Sequence, residues 1–187
     1  MNIMVVGVGG QGTLLTSRIL GKTALAAGYD VKLSEVHGMA QRGGSVVTYV
    51  RYGEKVSEPT VEEGGVDLLL AFEKLEALRY AHYLKKDGIL IVNDCRIDPM
   101  TVTIGVAEYP QDILQTLQKE HTVYAIDGNA IAAELGNTKV LNSVVLGLAA
   151  KHMEFSEDAW LQVLSETVPQ KTVALNTAAF KAGYNHQ

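Results

Sequence analysis

The first twenty residues combine a short apolar strand with a glycine-rich turn, and this combination restricts the fold more than any other stretch. Residues 3–6 (Ile-Met-Val-Val) predict a buried strand, residues 7–12 read Gly-Val-Gly-Gly-Gln-Gly, and a helical pattern starts near Thr13. Glycines adopt positive φ and leave no Cβ between the backbone and a ligand. The first amides of the helix are unpaired and lie at the positive end of its dipole. The stretch therefore predicts a strand, an anion-binding turn and a helix.

The remainder of the chain alternates strand and helix patterns, which indicates an α/β fold. Further strands are predicted at 29–35, 66–72, 88–93 and 122–126, and helices at 13–27, 73–84 and 111–119. Residues 45–59 predict a small antiparallel ribbon beside the main sheet, with a short strand at 56–59. From residue 130 onward the pattern is almost entirely helical. We predict one Rossmann-like domain over residues 1–187: a mostly parallel sheet with helices on both faces, a small antiparallel insertion and a helical C-terminal third.

Composition excludes several classes of function. The net charge is −5 and the 16 Lys and Arg residues form no block, so the electrostatic signature of a nucleic-acid binder is missing. No apolar run approaches the roughly 20 residues that span a bilayer, and we expect a cytoplasmic protein without a membrane anchor. The single cysteine, Cys95, excludes an internal disulfide, and it excludes a cysteine-ligated iron–sulfur cluster held by this chain alone.

The first glycine segment also satisfies the dinucleotide fingerprint Gly-x-Gly-x-x-Gly through Gly7, Gly9 and Gly12. Glu35 lies about where an acidic residue would bind a ribose. This pattern favours a stand-alone NAD(P)- or flavin-dependent oxidoreductase, or a non-enzymatic nucleotide-binding module. Alternatively, the glycines only allow close strand–helix packing and Glu35 ends a strand. A dehydrogenase of this type also needs a substrate domain, and little of the chain remains to form one.

A second glycine segment follows the next predicted strand and is not required by a dinucleotide fold. Residues 35–45 read Glu-Val-His-Gly-Met-Ala-Gln-Arg-Gly-Gly-Ser. Ligands of open α/β sheets bind at the carboxyl ends of the strands, where this segment is expected. Arg42 could bind a carboxylate or phosphate through two hydrogen bonds, and the amides of Gly43 and Gly44 could approach the same anion. The alternative is a solvated loop in which Arg42 pairs with Glu35.

The two segments together resemble the gamma-type subunit or domain of 2-oxoacid:ferredoxin oxidoreductases. The form of residues 37–44 is similar to that of the beta subunits of the indolepyruvate-specific members. The resemblance continues through the strand at 66–72, the strand at 88–93, residues 142–147 (Asn-Ser-Val-Val-Leu-Gly) and Asn176 in the last helix. The two glycine motifs are specific as a pair and weak separately.

The resemblance implies a subunit of an oxidoreductase that converts a 2-oxo acid and coenzyme A into an acyl-coenzyme A and carbon dioxide, with electrons passing to ferredoxin. It implies that thiamine diphosphate, magnesium and iron–sulfur clusters belong to a larger alpha partner, so that this chain is inactive alone. Indolepyruvate or another aryl pyruvate is the expected substrate. Whether the isolated chain forms a homodimer stays open.

The resemblance also defines the candidate site residues. His37, Gln41 and Arg42 are expected to form a wall of the active site. Phosphate or coenzyme A is expected to bind at Gly7, Gly9, Gly10, Gln11, Gly12, Gly43 and Gly44. The alternative is that Gly9, Gly10 and Gly12 only shape the loop. No metal site is expected in this chain, and residues 127–129 (Asp-Gly-Asn) are interpreted as a turn leading into a helix. Asn142 and Asn176 are expected at a helix start or in a buried polar network.

Overall fold

The computed structural model describes residues 1–37 and 43–186, and these form one six-stranded sheet. The strands are β1 Asn2–Val8, β2 Asp30–His37, β3 Ser45–Gly53, β4 Val66–Ala71, β5 Leu84–Asn93 and β6 Thr122–Ile126. Their order in the sheet is β2-β3-β1-β4-β5-β6. Strands β1, β4, β5 and β6 are parallel, and β3 runs antiparallel to both of its neighbours. The predicted mostly parallel α/β sheet is confirmed.

The helices lie on both faces of the sheet, as predicted. They are α1 Thr13–Ala26, α2 Lys74–Tyr80, α3 Met100–Thr103, α4 Ile113–Gln118, α5 Gly128–Glu134, α6 Leu141–Ala150, α7 Glu157–Thr167 and α8 Val173–Tyr184. Alternate residues of β1 enter two separate cores. Ile3 and Val5 pack with residues of α1, α6, α7 and α8, whereas Met4 and Val6 pack with residues of α2 and α4. Burial on both faces accounts for the continuous apolar runs of the central strands.

The antiparallel insertion lies inside the sheet, so the prediction that it would lie beside the sheet was wrong. Strand β3 separates β1 from β2 and pairs with β1 over seven residues. Val47 belongs to the core on the α2 face and Val50 to the core on the α1 face, so β3 is covered on both sides. Hydrophobic alternation cannot distinguish such a central strand from a half-exposed ribbon, because pairing partners are set by tertiary contacts.

The predicted short strand at 56–59 is absent from the structure. These residues are held by side chains: Asp30 Oδ2 accepts a hydrogen bond from the Val56 amide at 2.9 Å, and Arg51 Nη1 donates to the Glu58 carbonyl at 3.1 Å. Pro59 has no amide hydrogen to donate to a ladder. The segment is therefore an irregular connection between β3 and β4.

The helical C-terminal third depends on a very close crossing of α6 and α8. A Cβ added to Gly147 would lie 2.0 Å from the carbonyl oxygen of Phe180, and one added to Gly183 would lie 1.9 Å from the carbonyl oxygen of Val144. Real Cβ atoms never approach oxygen this closely. The two glycines therefore allow the backbones of α6 and α8 to touch, which joins these two helices of the helical layer.

Candidate functional site

The first glycine segment forms a tight turn between β1 and α1. Gly10 and Gly12 have φ values of 105° and 82°, in the region that favours glycine, and Gly12 is the N-cap residue of α1. A Cβ on Gly12 would lie 3.0 Å from Nδ2 of Asn142, so α6 packs directly against this turn. The predicted arrangement of strand, glycine turn and helix is confirmed.

Gln11 is held by main-chain hydrogen bonds. Its Oε1 accepts from the Val8 amide at 2.7 Å, and its Nε2 donates to the Phe72 carbonyl at 2.9 Å. Its amide thereby ties the turn to the ends of β1 and β4. A Cβ on Gly7 would lie 2.9 Å from this Oε1, so the missing side chain of Gly7 leaves room for Gln11. Both residues thus contribute to the packing of the turn.

The second glycine segment meets the first at the carboxyl edge of β1. The Gly9 amide donates to the Gly44 carbonyl at 2.9 Å, and the last residue of β1, Val8, pairs with the first residue of β3, Ser45. Strand β2 ends at the same edge, where His37 pairs with Val46. Two motifs that are about thirty residues apart in the sequence are therefore parts of one surface.

Between the two segments lies an open cavity of about 290 Å³, here called the glycine groove. Its lining residues are Gly9, Gly10, Gly12, Thr13, Leu14, Glu35, His37 and Val46. Of the predicted site residues, Gly9, Gly10, Gly12 and His37 line the groove. Gly44 accepts a hydrogen bond from one of these residues, Gly9. The predicted Gln41 and Arg42 lie outside the described residues. Gly43 is described, with a φ of 77°.

The glycine groove combines a helix N-terminus with titratable side chains. The amino end of α1 directs the positive end of its dipole towards Gly12 and Thr13, which suits an anion. Glu35 and His37 stand on the opposite wall, on β2. A ligand that fits this arrangement places an anionic group at the turn and a hydrogen-bond donor near Glu35.

A buried acid supports the second segment from the other face of the sheet, and sequence analysis missed it. The side chain of Glu76, on α2, is almost fully buried; it accepts a hydrogen bond from Ser45 Oγ at 2.5 Å and one from Arg79 at 2.7 Å. Burial raises the pKa of Glu76 above its usual value, although Ser45 and Arg79 oppose the shift. In sequence, an acidic residue near the start of a helix is normally a solvated one. Only the packing of α2 on the central strands, which brings Glu76 to the first residue of β3, reveals this contact.

Two expected polar roles in the helical third are confirmed. Ser143 Oγ donates to Asn176 Oδ1 at 2.7 Å, and Asn176 Nδ2 donates to the Thr172 carbonyl at 2.9 Å. Asn142 stands in the first turn of α6, and its Oδ1 accepts from the Ser143 amide. Asn142 and Asn176 therefore belong to a buried network that joins α6 to α8, next to the glycine turn.

Cys95 follows β5 and is a half-buried thiol. It donates to the Phe72 carbonyl at 3.1 Å, and Gln11 Nε2 lies 3.8 Å from its sulfur. Burial, with the nearby Glu73 carboxylate, raises the pKa of Cys95 to about 11. A thiol with this pKa stays protonated at neutral pH, which disfavours a nucleophilic role.

The described residues contain no group of three or more His, Cys, Asp and Glu side chains that could hold a metal ion. Within residues 1–37 and 43–186, none of the helices is both long and apolar enough to cross a bilayer.

The fold is that of a Rossmann-like α/β protein. It has an antiparallel insertion in the sheet, a glycine groove at the carboxyl edge and a helical C-terminal third. The chain matches the sequence model of the pyruvate ferredoxin/flavodoxin oxidoreductase family over residues 2–186 and belongs to that family. The resemblance drawn from the two glycine segments is thus confirmed. Family membership also favours the oxidoreductase-subunit interpretation over a stand-alone dinucleotide-binding enzyme.

Individual relatives are similar to this chain over almost its whole length. The chain is 43% identical to indolepyruvate oxidoreductase subunit IorB of Thermococcus kodakarensis, over 97% of this chain and 93% of the relative. It is 43% identical to the subunit of the same name from Archaeoglobus fulgidus, over 99% of this chain and 94% of the relative. Its fold is similar to the crystal structure of the gamma subunit of a keto/oxoacid ferredoxin oxidoreductase from Geobacter sulfurreducens. That similarity has a TM-score of 0.73 and 25% identity, over 98% of this chain and 95% of that chain.

Proposed function

We propose that the chain is the small subunit of a 2-oxoacid:ferredoxin oxidoreductase that acts on indolepyruvate or a related aryl pyruvate. In the overall reaction, the bond between the carboxylate and the oxo carbon breaks and carbon dioxide leaves. The acyl group forms a thioester with coenzyme A, and an electron pair passes to ferredoxin. Family membership and the names of the two relatives support the reaction class and the aryl substrate.

The proposed reaction needs iron–sulfur clusters and thiamine diphosphate, and the residues of this chain do not fit either group. One cysteine cannot supply the thiolates of an iron–sulfur cluster. The one compact Asp-Gly-Asn sequence is also engaged elsewhere. Asp127 accepts from the Ala130 amide as the N-cap of α5, and Asn129 Oδ1 accepts from Asn93 Nδ2 at 3.0 Å. Thiamine diphosphate, magnesium and the iron–sulfur clusters are therefore proposed on a larger partner subunit, which also passes electrons to ferredoxin.

Within this complex, the glycine groove is proposed to bind the anionic part of the substrate or of coenzyme A. The hydrogen bond between the Gly9 amide and the Gly44 carbonyl carries this assignment, because it joins both motifs at one helix N-terminus. Gly10 and Gly12 shape the turn around the anion. His37 and Gln41 are proposed as hydrogen-bonding groups of the active-site wall, and Arg42 as the guanidinium that binds a carboxylate or phosphate.

The test is reconstitution of the complex. The chain is co-expressed anaerobically with the large subunit from the same organism, and reduction of ferredoxin is followed with indolepyruvate, 2-oxoglutarate or pyruvate, each with and without coenzyme A. The proposal expects the highest kcat/KM for indolepyruvate and a strict requirement for coenzyme A. A complex that prefers another 2-oxo acid would contradict the substrate assignment. A chain purified alone with bound NAD or flavin would instead support the dinucleotide interpretation, which Glu35 in the groove also suits.

A further inference from the structure

The segment after β5 exposes an unusual amount of apolar surface. Met100, Ile104 and Val106 are 71%, 62% and 73% exposed, the highest values among large hydrophobic side chains of the described residues. Residues 99–107 (Pro-Met-Thr-Val-Thr-Ile-Gly-Val-Ala) contain no charged side chain, although charged residues make up 20% of the chain. We call residues 99–107 the apolar knob. Exposed apolar clusters of this kind mark interaction surfaces.

The apolar knob is an ordered projection. Its backbone closes on itself around α3: the Thr103 amide donates to the Pro99 carbonyl at 3.0 Å, and the Val106 amide donates to the Thr101 carbonyl at 2.9 Å. Val102 packs back against the core on the α2 face. These contacts hold the exposed side chains on a rigid support, which lowers the entropy lost when a partner binds them.

A buried carboxylate fixes the base of the apolar knob. Glu73 is 1% exposed, and its Oε1 accepts from the Ile97 amide at 3.2 Å and from Tyr109 Oη at 2.5 Å. Ile97 and Tyr109 flank the two ends of the knob, so the side chain of Glu73 holds both ends together. Its other oxygen, Oε2, accepts from the Glu76 amide as the N-cap bond of α2, which connects the knob to the helix under the second glycine segment.

The apolar knob and the glycine groove lie at the same edge of the sheet. Parallel strands β1 and β5 end there, at Val8 and Asn93. Cys95, two residues after β5, lies 3.8 Å from the side chain of Gln11 in the glycine turn. The knob therefore follows a strand that ends at the same edge of the sheet as the groove, and a macromolecule that covers this edge would contact both.

We propose that the apolar knob is the docking surface for the larger, cofactor-bearing subunit. This inference rests on the proposed function. The groups that react with the 2-oxo acid must come from that subunit, so it must reach the groove and thus cover the carboxyl edge of the sheet. The knob supplies the apolar anchor that a stable interface needs at this edge. A second copy of this chain would bury the knob without bringing a redox group to the groove.

The experiment compares three variants, each co-expressed with the tagged large subunit. Met100→Glu and Val106→Glu place a charge in the apolar knob. The matched control is Leu25→Glu, because Leu25 is 57% exposed in the last turn of α1, at the opposite edge of the sheet. We expect both knob variants to lower the amount of small subunit bound per large subunit by about 10-fold or more, and the control to leave it unchanged. Because the substituted side chains are exposed, the thermal midpoint of each isolated variant should stay within a few degrees of the unsubstituted chain.

The outcomes separate this inference from the proposed function. Equal recovery of the knob variants and Leu25→Glu would overturn the docking surface. So would an isolated dimer that Met100→Glu dissociates while binding of the large subunit is unaffected. A complex that depends on the knob but turns over no 2-oxo acid would support the docking surface and contradict the function. Failure of the unsubstituted chain to bind the large subunit would overturn both.

Discussion

At the scale of single residues, hydrogen-bonded polar side chains fix the position of the glycine groove. Gln11 ties the first segment to β1 and β4 with two main-chain hydrogen bonds. Glu76 accepts a hydrogen bond from Ser45, the last residue of the second segment, and Ser45 Oγ also lies 3.2 Å from Tyr80 Oη. A buried polar group that loses its partner costs about 1–3 kcal/mol. The turns that form the groove are therefore stabilised by Gln11 and Glu76, which do not line the groove.

The raised pKa of Glu76 predicts a pH-dependent stability. The folded chain binds this proton more tightly than the unfolded chain, whose carboxyl titrates near 4.5. The stabilising contribution is therefore fully present below that pH and is lost as pH rises through the raised pKa. In Glu76→Gln the side chain cannot ionise, so we expect the free energy of unfolding of the variant to improve relative to the unsubstituted chain as pH rises from about 4 to about 8. Urea unfolding at several pH values measures this difference, and a constant or falling difference would contradict the assignment.

At the scale of elements, the close crossing of α6 and α8 holds the helical third together. At the crossing, Gly147 lies against the backbone of Phe180 and Gly183 against the backbone of Val144. The Ser143–Asn176 hydrogen bond joins the same two helices. Asn142, in the first turn of α6, packs on Gly12 of the glycine turn. The geometry of the helical layer is therefore transmitted directly to the groove.

Gly147→Ala is predicted to destabilise the chain strongly, because the added Cβ would lie 2.0 Å from the Phe180 carbonyl and would force α6 and α8 apart. We expect a loss at or above the upper end of the ~1–3 kcal/mol typical of overpacking. The matched control is Gly21→Ala in α1, where the new Cβ would meet Val31 Cγ1 at 3.5 Å and Leu33 Cδ1 at 4.0 Å, both ordinary contacts. That substitution should be neutral or stabilising by about 0.5–1 kcal/mol. Chemical denaturation of both variants distinguishes the two effects, and similar midpoints would show that the crossing tolerates a side chain.

At the scale of the whole molecule, the two candidate functional features of the described residues lie at one edge of the sheet. The glycine groove and the apolar knob both lie at the carboxyl ends of the parallel strands, whereas the opposite edge carries the Tyr29–Tyr52–Phe155 aromatic cluster, which is part of or packed against the core. Binding sites of open α/β sheets are found at the carboxyl edge. A small subunit with all of its candidate contacts at this edge is suited to close the active site of a larger one.

Arg42→Ala is predicted to weaken activity of the complex without unfolding the isolated chain. If the guanidinium binds an anionic group of substrate or coenzyme A, its loss removes charge-assisted hydrogen bonds of about 1.5–3 kcal/mol, or roughly 10- to 150-fold in kcat/KM for that ligand. Lys55→Ala, at an exposed cation near the opposite edge, serves as the control and should leave kinetics unchanged. Steady-state kinetics with indolepyruvate and coenzyme A varied separately would identify the ligand. Unchanged constants for both would remove Arg42 from the site.

Much of the fold could be predicted because local patterns were consistent with the tertiary environment. The apolar run of β4, the glycine turn and the helix after it were each predicted within one or two residues. The position of β3 and the irregular course of residues 56–59 could not be predicted. Both depend on which segments pair, and a sequence pattern of period two does not specify its partner.

The sequence by itself determined the class of fold, the two glycine motifs and the family, because these depend on residue types at short spacings. The tertiary structure alone decided that the two motifs share one groove, that Glu76 and Gln11 support it and that the apolar knob lies at the same edge of the sheet. Those relations join residues far apart in the chain, such as Gly9 with Gly44 and Glu73 with Tyr109. They arise when the sheet aligns the carboxyl ends of its strands, which is a property of the packed chain and not of any one segment.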